Sequence, residues 1–131
     1  MKRLRVEKFI DAFTGQTNYA FEQLSKGVYE TGPEQAAHAG MGLWGLGHIR
    51  GILTRLQDSL TKGGMELVNY PGIAEIYTEV GYPSERLEAF LEAKKTGKQA
   101  PIDEETASIF VFFLRKKLDE LREMAREVDS E

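Results

Sequence analysis

Apolar residues recur at steps of three and four along most of this chain, the spacing that lines one face of an α-helix. Val6, Phe9, Ile10, Phe13, Thr17, Ala20, Phe21, Leu24 and Val28 form the first stripe and predict a helix over residues 5–28. Gly15 interrupts it. A glycine in a helix interior costs roughly 1 kcal/mol, so either the stripe absorbs the loss or the helix breaks there. Thr31-Gly32-Pro33-Glu34 then has the form of a capping box, with threonine, an early proline and glutamate three residues on. It predicts a second helix over 33–60, with Leu46, Ile49, Leu53, Leu56 and Leu60 as its apolar seam. Lys62-Gly63-Gly64 supplies the stop.

Two Tyr-Pro pairs, Tyr70-Pro71 and Tyr82-Pro83, open two short helices over 72–80 and 84–95. Ile73, Ile76, Tyr77 and Val80 line the first, and Leu87, Phe90 and Leu91 the second. Gly81 and Gly97 close them. The last helix, 103–128, starts on Asp103, an N-cap residue type, with Glu104 and Glu105 placed favourably against the helix dipole. Ala107, Val111, Leu114, Leu118, Leu121, Ala125 and Val128 continue it as an unbroken heptad-like seam. Within it, Ile109-Phe110-Val111-Phe112-Phe113-Leu114 is apolar on every side. A helix apolar all round is buried all round, so this stretch should lie at the centre of a bundle or in an interface. No segment shows sustained strand alternation or an Asn-Gly or Asp-Gly hairpin turn. The pattern therefore predicts one all-α domain over residues 1–131, a bundle of about five helices, three long and two short.

The glycines at 40, 42, 45, 47 and 51 complicate the second helix. Five of them forfeit on the order of 5 kcal/mol of helix propensity. On a helical projection Ala36, Gly40, Gly47 and Gly51 share one narrow face, opposite the leucine seam. Such a face admits a second backbone at short range, so Gly47→Leu is expected to do more harm than Gly27→Leu. A hinge or a helix broken near residues 42–47 is the alternative. A phosphate-cradling loop is disfavoured, because no strand precedes the glycines and no Gly-Lys-Ser/Thr follows.

Composition narrows the class. The 131 residues are 41% hydrophobic and 29% charged, enough apolar material for one core and too much for a disordered chain. No apolar run approaches the roughly 20 residues of a membrane helix, and no apolar segment follows the basic Met1–Arg5 stretch as in a signal peptide. There is no cysteine, hence no disulfide and no thiolate ligand. The expected setting is cytoplasmic. Net charge is −4, with +2 on residues 1–65 and −6 on 66–131. A duplex-DNA binder normally shows a basic surplus.

Candidate chemistry is sparse. His38 and His48 are ten residues apart on one helix and face different ways, so they form no metal pair. Glu34 and His38 share a face as a carboxylate–imidazole pair. The glutamates follow solvated helical spacings, and no serine sits in a nucleophile elbow. No cofactor, no metal site and no enzymatic activity are expected. Trp44 lies among His48, Arg50 and Arg55. It packs beside Met41 and the glycines, or it stands exposed as a binding hot spot or stacking platform.

Three functional readings follow, the third being a small enzyme or ligand binder that uses the glycine-rich segment. In the first, the protein is a non-enzymatic helical oligomer, assembly subunit or regulator acting through protein contacts. The bundle has limited material to cover Ile109–Leu114, so a homodimer is expected, with Trp44, Gly47, Gly51, Phe112 and Phe113 as partner-binding residues and Ala125 and Val128 extending the contact. In the second, it is a nucleic-acid-associated helical subunit of a larger prokaryotic nucleoprotein complex, contacting backbone through Arg50, Arg55, Arg115, Lys116 and Lys117. In size and helical character the chain is similar to the small helical subunits of prokaryotic CRISPR effector complexes, a likeness carried by no motif.

Overall fold

The computed structural model describes the backbone of residues 14–62 and 71–130, with side chains described over 17–58 and 71–124. Five helices and no strand are found among the described residues. They are α1 (Thr14–Tyr29), α2 (Gln35–Lys62), α3 (Pro71–Glu79), α4 (Gly81–Thr96) and α5 (Glu104–Ser130). The protein is an all-α bundle. The predicted residues 5–13 of the first helix, and the side chains of Leu60, Ala125 and Val128, lie outside the described part.

The described part of α1 begins at Thr14, so a break before Gly15 falls outside the described residues. Its apolar stripe turns inward at Ala20, Phe21, Leu24 and Val28, all essentially inaccessible. α2 supplies Leu46, Ile49, Leu53 and Leu56, and α3 and α4 add Ile73, Ile76, Leu87, Phe90 and Leu91. α5 closes the core with Ala107, Val111, Leu114 and Leu121. Each fully buried side chain of this kind is worth about 1.5–3 kcal/mol, which outweighs the propensity lost to the glycines of α2.

α1 and α2 pack more extensively than any other pair, and the reason is glycine, at positions other than those expected. A Cβ on Gly45 would stand 2.4 Å from the carbonyl oxygen of Ala20 and 3.2 Å from the amide nitrogen of Leu24. A Cβ on Gly42 would meet the Cα of Gly27 at 3.1 Å, and one on Gly27 would meet the Cα of Gly42 at 2.9 Å. Among the described residues, nothing lies within 4 Å of such an atom on Gly40, Gly47 or Gly51. The close face is thus Gly42 and Gly45, continuing the core stripe of α2 toward its N-terminus, and the expected Gly40–Gly47–Gly51 ridge is not a packing surface among the described residues. The expectation for Gly47→Leu reverses accordingly. α2 is also continuous through 40–51, neither hinged nor broken.

Helix ends are fixed by identifiable groups. Asp103 accepts the Thr106 amide at 2.7 Å as an N-cap, and this hydrogen bonding holds its carboxyl below its ordinary range. Gly97, at φ 71, ends α4, and the Lys98 amide bonds back to the Ala93 carbonyl at 2.9 Å in a Schellman closure. The last carbonyls of α1 receive a side chain from another helix. The Lys94 ammonium of α4 donates to the carbonyls of Gly27, Val28 and Glu30 at 2.9, 2.8 and 2.9 Å. Burial pushes the Lys94 pKa down, with Glu104 and Glu30 opposing, and all three of its donors are occupied. The capping box at Thr31 does not form. α2 begins at Gln35, whose amide bonds the Gly32 carbonyl at 3.1 Å, and the Glu34 carboxylate lies 3.6 Å from His38 Nε2 instead.

α4 starts three residues earlier than predicted. Only Val80, itself in helical geometry at φ −80 and ψ −12, separates it from α3. Its amide bonds Ile76 and its carbonyl accepts from Ser84, so the ladder passes through the joint. Pro83 falls in the first turn, where a missing N–H costs nothing.

Candidate functional site

No helix among the described residues is long and apolar enough to cross a membrane. Nor do three His, Asp or Glu side chains gather there as a metal ion would require. The features that stand out are two exposed apolar surfaces, one on the α1–α2 pair and one on α5.

On the first, Trp44 does not pack into the core. It points away from the Gly42–Gly45 face and is half exposed. Its indole stacks on His48, with ring centres 5.3 Å apart and planes 13° apart, and meets Tyr19 edge-on at 5.6 Å. Tyr19, Gln23, Met41 and Trp44 line an open groove of about 210 Å³. Gln23 is buried beneath it, and its Oε1 makes no hydrogen bond; nor does His48 Nε2. The arrangement is an exposed aromatic patch with two buried polar atoms that have no hydrogen-bond partner among the described residues. Gly47, exposed, and Gly51, partly covered, sit on the outer side of α2 with open space above them.

On the second surface, α5 turns its seam of Ala107, Val111, Leu114, Leu118 and Leu121 toward the bundle. Ile109 and Phe112 therefore project on the opposite side, 58% and 70% exposed. Of the two placements expected for Ile109–Leu114, full enclosure at the centre of the bundle is not found among the described residues. Val111 and Leu114 are buried and Phe110 and Phe113 half-buried, while the outward pair has no cover among the described residues. Phe110 leans on Tyr82 of α4, edge to face at 6.0 Å. Phe113 lies under Lys117, whose ammonium is 5.3 Å from the ring centre. Phe112, the most exposed large apolar residue among those described, has no such companion.

Three of the five basic residues singled out from sequence are engaged by other side chains. Arg50 pairs with Glu88 of α4. Lys117 holds Glu79 of α3 and Glu120, the latter at 3.0 Å. These hydrogen bonds raise the Lys117 pKa and lower that of Glu79. Arg115 lies over the Phe21 ring and bonds Asn18 at 3.3 Å. Arg55 and Lys116 are exposed.

Sequence reasoning missed two polar contacts that brace this framework. The Tyr77 hydroxyl donates to the Leu53 carbonyl at 2.9 Å, and burial, with Asp58 nearby, raises its pKa well above 10. The second is the Lys94 clamp. Neither partner is close in sequence, and a lysine or tyrosine on a helix gives no periodic signal of a distant carbonyl. No known protein family, characterised protein or solved structure matches the chain.

Proposed function

We propose that the protein works through protein–protein contacts, as a helical assembly subunit or regulator rather than an enzyme, and that its first partner is a second copy of itself. The observation that carries this reading is the outward pair Ile109 and Phe112 on a helix of 27 residues. Burying a phenylalanine is worth about 1.5–3 kcal/mol, and a ring left 70% in water forgoes most of that unless something covers it. Contiguous exposed apolar residues on a small domain mark partner surfaces. The Trp44–Tyr19–Met41 patch offers a second contact of the composition found at binding hot spots, which suits a subunit that assembles through two faces. A cytoplasmic setting accords with a cysteine-free chain.

Association with nucleic acid draws less support. Arg50 and Lys117 are engaged by carboxylates and Arg115 by Asn18, so three of the five proposed phosphate contacts are already occupied.

Sedimentation equilibrium at micromolar concentration tests the main reading. The expected result is a species of twice the 14.8 kDa chain mass that Phe112→Glu converts to monomer. A 14.8 kDa species at every concentration, unchanged by Phe112→Glu, refutes it.

A further inference from the structure

The outer stripe of α5 has a property that an arbitrary apolar patch lacks. Glu105, Ile109, Phe112 and Lys116 are all exposed, and their spacing of four, three and four reads the same from either end. At 100° per residue they fall within a band about 60° wide, opposite the core seam. Neither Glu105 nor Lys116 has an ion-pair partner among the described residues, in contrast to Lys117 beside them. Two free opposite charges thus bracket two uncovered apolar side chains, symmetrically about a point between residues 110 and 111.

We propose that two copies of the chain pair through α5 in an antiparallel, two-fold arrangement whose axis passes between residues 110 and 111. This inference rests on the self-association proposed above and adds its geometry. A two-fold axis requires that if residue i faces residue j, then j faces i. In antiparallel helices, residues at one level have numbers with a constant sum. With the axis at this point, Ile109 of one copy lies on Phe112 of the other, and Glu105 lies against Lys116, each contact made twice. Shifting the axis to Phe112 itself sets Glu105 against Asp119, like against like. A parallel pairing sets Glu105 against Glu105 and Lys116 against Lys116. Of these three arrangements only the antiparallel one centred between residues 110 and 111 pairs both charges with their opposites on the exposed stripe, so the charges favour that direction and register.

The absence of cysteine makes a direct test clean. Glu105→Cys and Lys116→Cys chains are prepared separately, then mixed and oxidised. The proposed register brings residue 105 of one copy to residue 116 of the other, while like residues stand eleven positions apart, about 16 Å at 1.5 Å per residue. The expected result is a 105–116 cross-linked heterodimer in the mixture and little covalent dimer in either chain alone. In parallel, Lys116→Glu should weaken dimerisation roughly tenfold at low salt, since it places two like-charge contacts in each dimer. Adding Glu105→Lys should restore it to within about threefold. Both positions are exposed, and an unchanged melting curve of the Lys116→Glu monomer excludes a folding defect. Cross-linking of Glu105→Cys to itself, or a dimer that Phe112→Glu dissociates but both charge variants leave unaltered, overturns the register and leaves self-association standing. A chain that is monomeric at every concentration overturns both.

Discussion

Adding a single methyl group should have opposite consequences at two glycines only two residues apart. Gly45→Ala puts a carbon 2.4 Å from the Ala20 carbonyl oxygen, where about 3.4 Å is the ordinary limit, and the obstructing atom is backbone. α1 and α2 must then separate by close to 1 Å along their tightest contact, which also loosens Leu24 and the Gly27–Gly42 crossing. Overpacking of this kind costs about 1–3 kcal/mol, against a propensity gain of about 0.5–1 kcal/mol for alanine over glycine in a helix. Gly47→Ala keeps the gain and meets nothing within 4 Å. The two variants should therefore differ by about 1–3 kcal/mol, with Gly45→Ala less stable than the parent and Gly47→Ala more stable. For a chain of this size that is a gap in Tm of roughly 4–12 °C. Thermal and urea unfolding followed by circular dichroism measure it, with an unchanged urea m-value as the check that both unfold from the same compact state. Gly45→Ala matching or exceeding Gly47→Ala in stability would refute the close approach of α1 and α2.

Three further outcomes are expected. Lys94→Met removes three hydrogen bonds to the end of α1 and should destabilise by about 1–3 kcal/mol in urea, with hydrogen exchange accelerated at the C-terminal amides of that helix first. Tyr77→Phe should cost about 1 kcal/mol at neutral pH. Because burial raises the folded-state pKa of Tyr77 above its ordinary 10.0, the unfolded chain ionises first. The parent should therefore lose stability as pH climbs past about 10, and the Phe variant should lose less. Asp103 has the opposite sign, its folded pKa lying below the ordinary 3.8. Its contribution is fully present above that pH and fades as pH falls further, so Asp103→Ala should narrow its stability gap to the parent in acid melts.

The helices were legible because their apolar residues recur at steps of three and four, and the Asp103 start because an aspartate before two glutamates has one favourable use. The glycine surface was misread for a physical reason. Glycine has no side chain to register as apolar, so Gly42 and Gly45 look like gaps, although stepping back from Ile49 by four and three lands on Gly45 and Gly42. Gly40, Gly47 and Gly51 form the neater small-residue line, but they lie off the core stripe, and it is the large residues that decide which face turns inward. Ile109 and Phe112 show the converse. Six apolar residues in a row give no face of their own, and only the flanking seam of Ala107, Leu118 and Leu121 indicates which of them point out. Trp44 was ambiguous because its size suits a core or a contact surface equally well.

The Lys94 clamp has a consequence for how the chain acquires its shape. α1 and α2 are sequence neighbours whose glycines let them lie nearly backbone to backbone, and on that ground they could close first as a hairpin of helices. Yet the carbonyls that end α1 are satisfied from 64 to 67 residues downstream. Leu91, one turn before Lys94, also sits against the Gly27–Gly42 crossing, its Cδ2 about 3.0 Å from where a Gly27 Cβ would stand. Until α4 arrives, the hairpin therefore has a ragged end and an unsealed crossing. Completion of the first helix depends on a segment synthesised after it, so the chain is expected to fold as one cooperative unit rather than from its N-terminus forward. A fragment ending at Lys62 would show this directly, with α1 fraying backward from Tyr29 while the full chain keeps it closed.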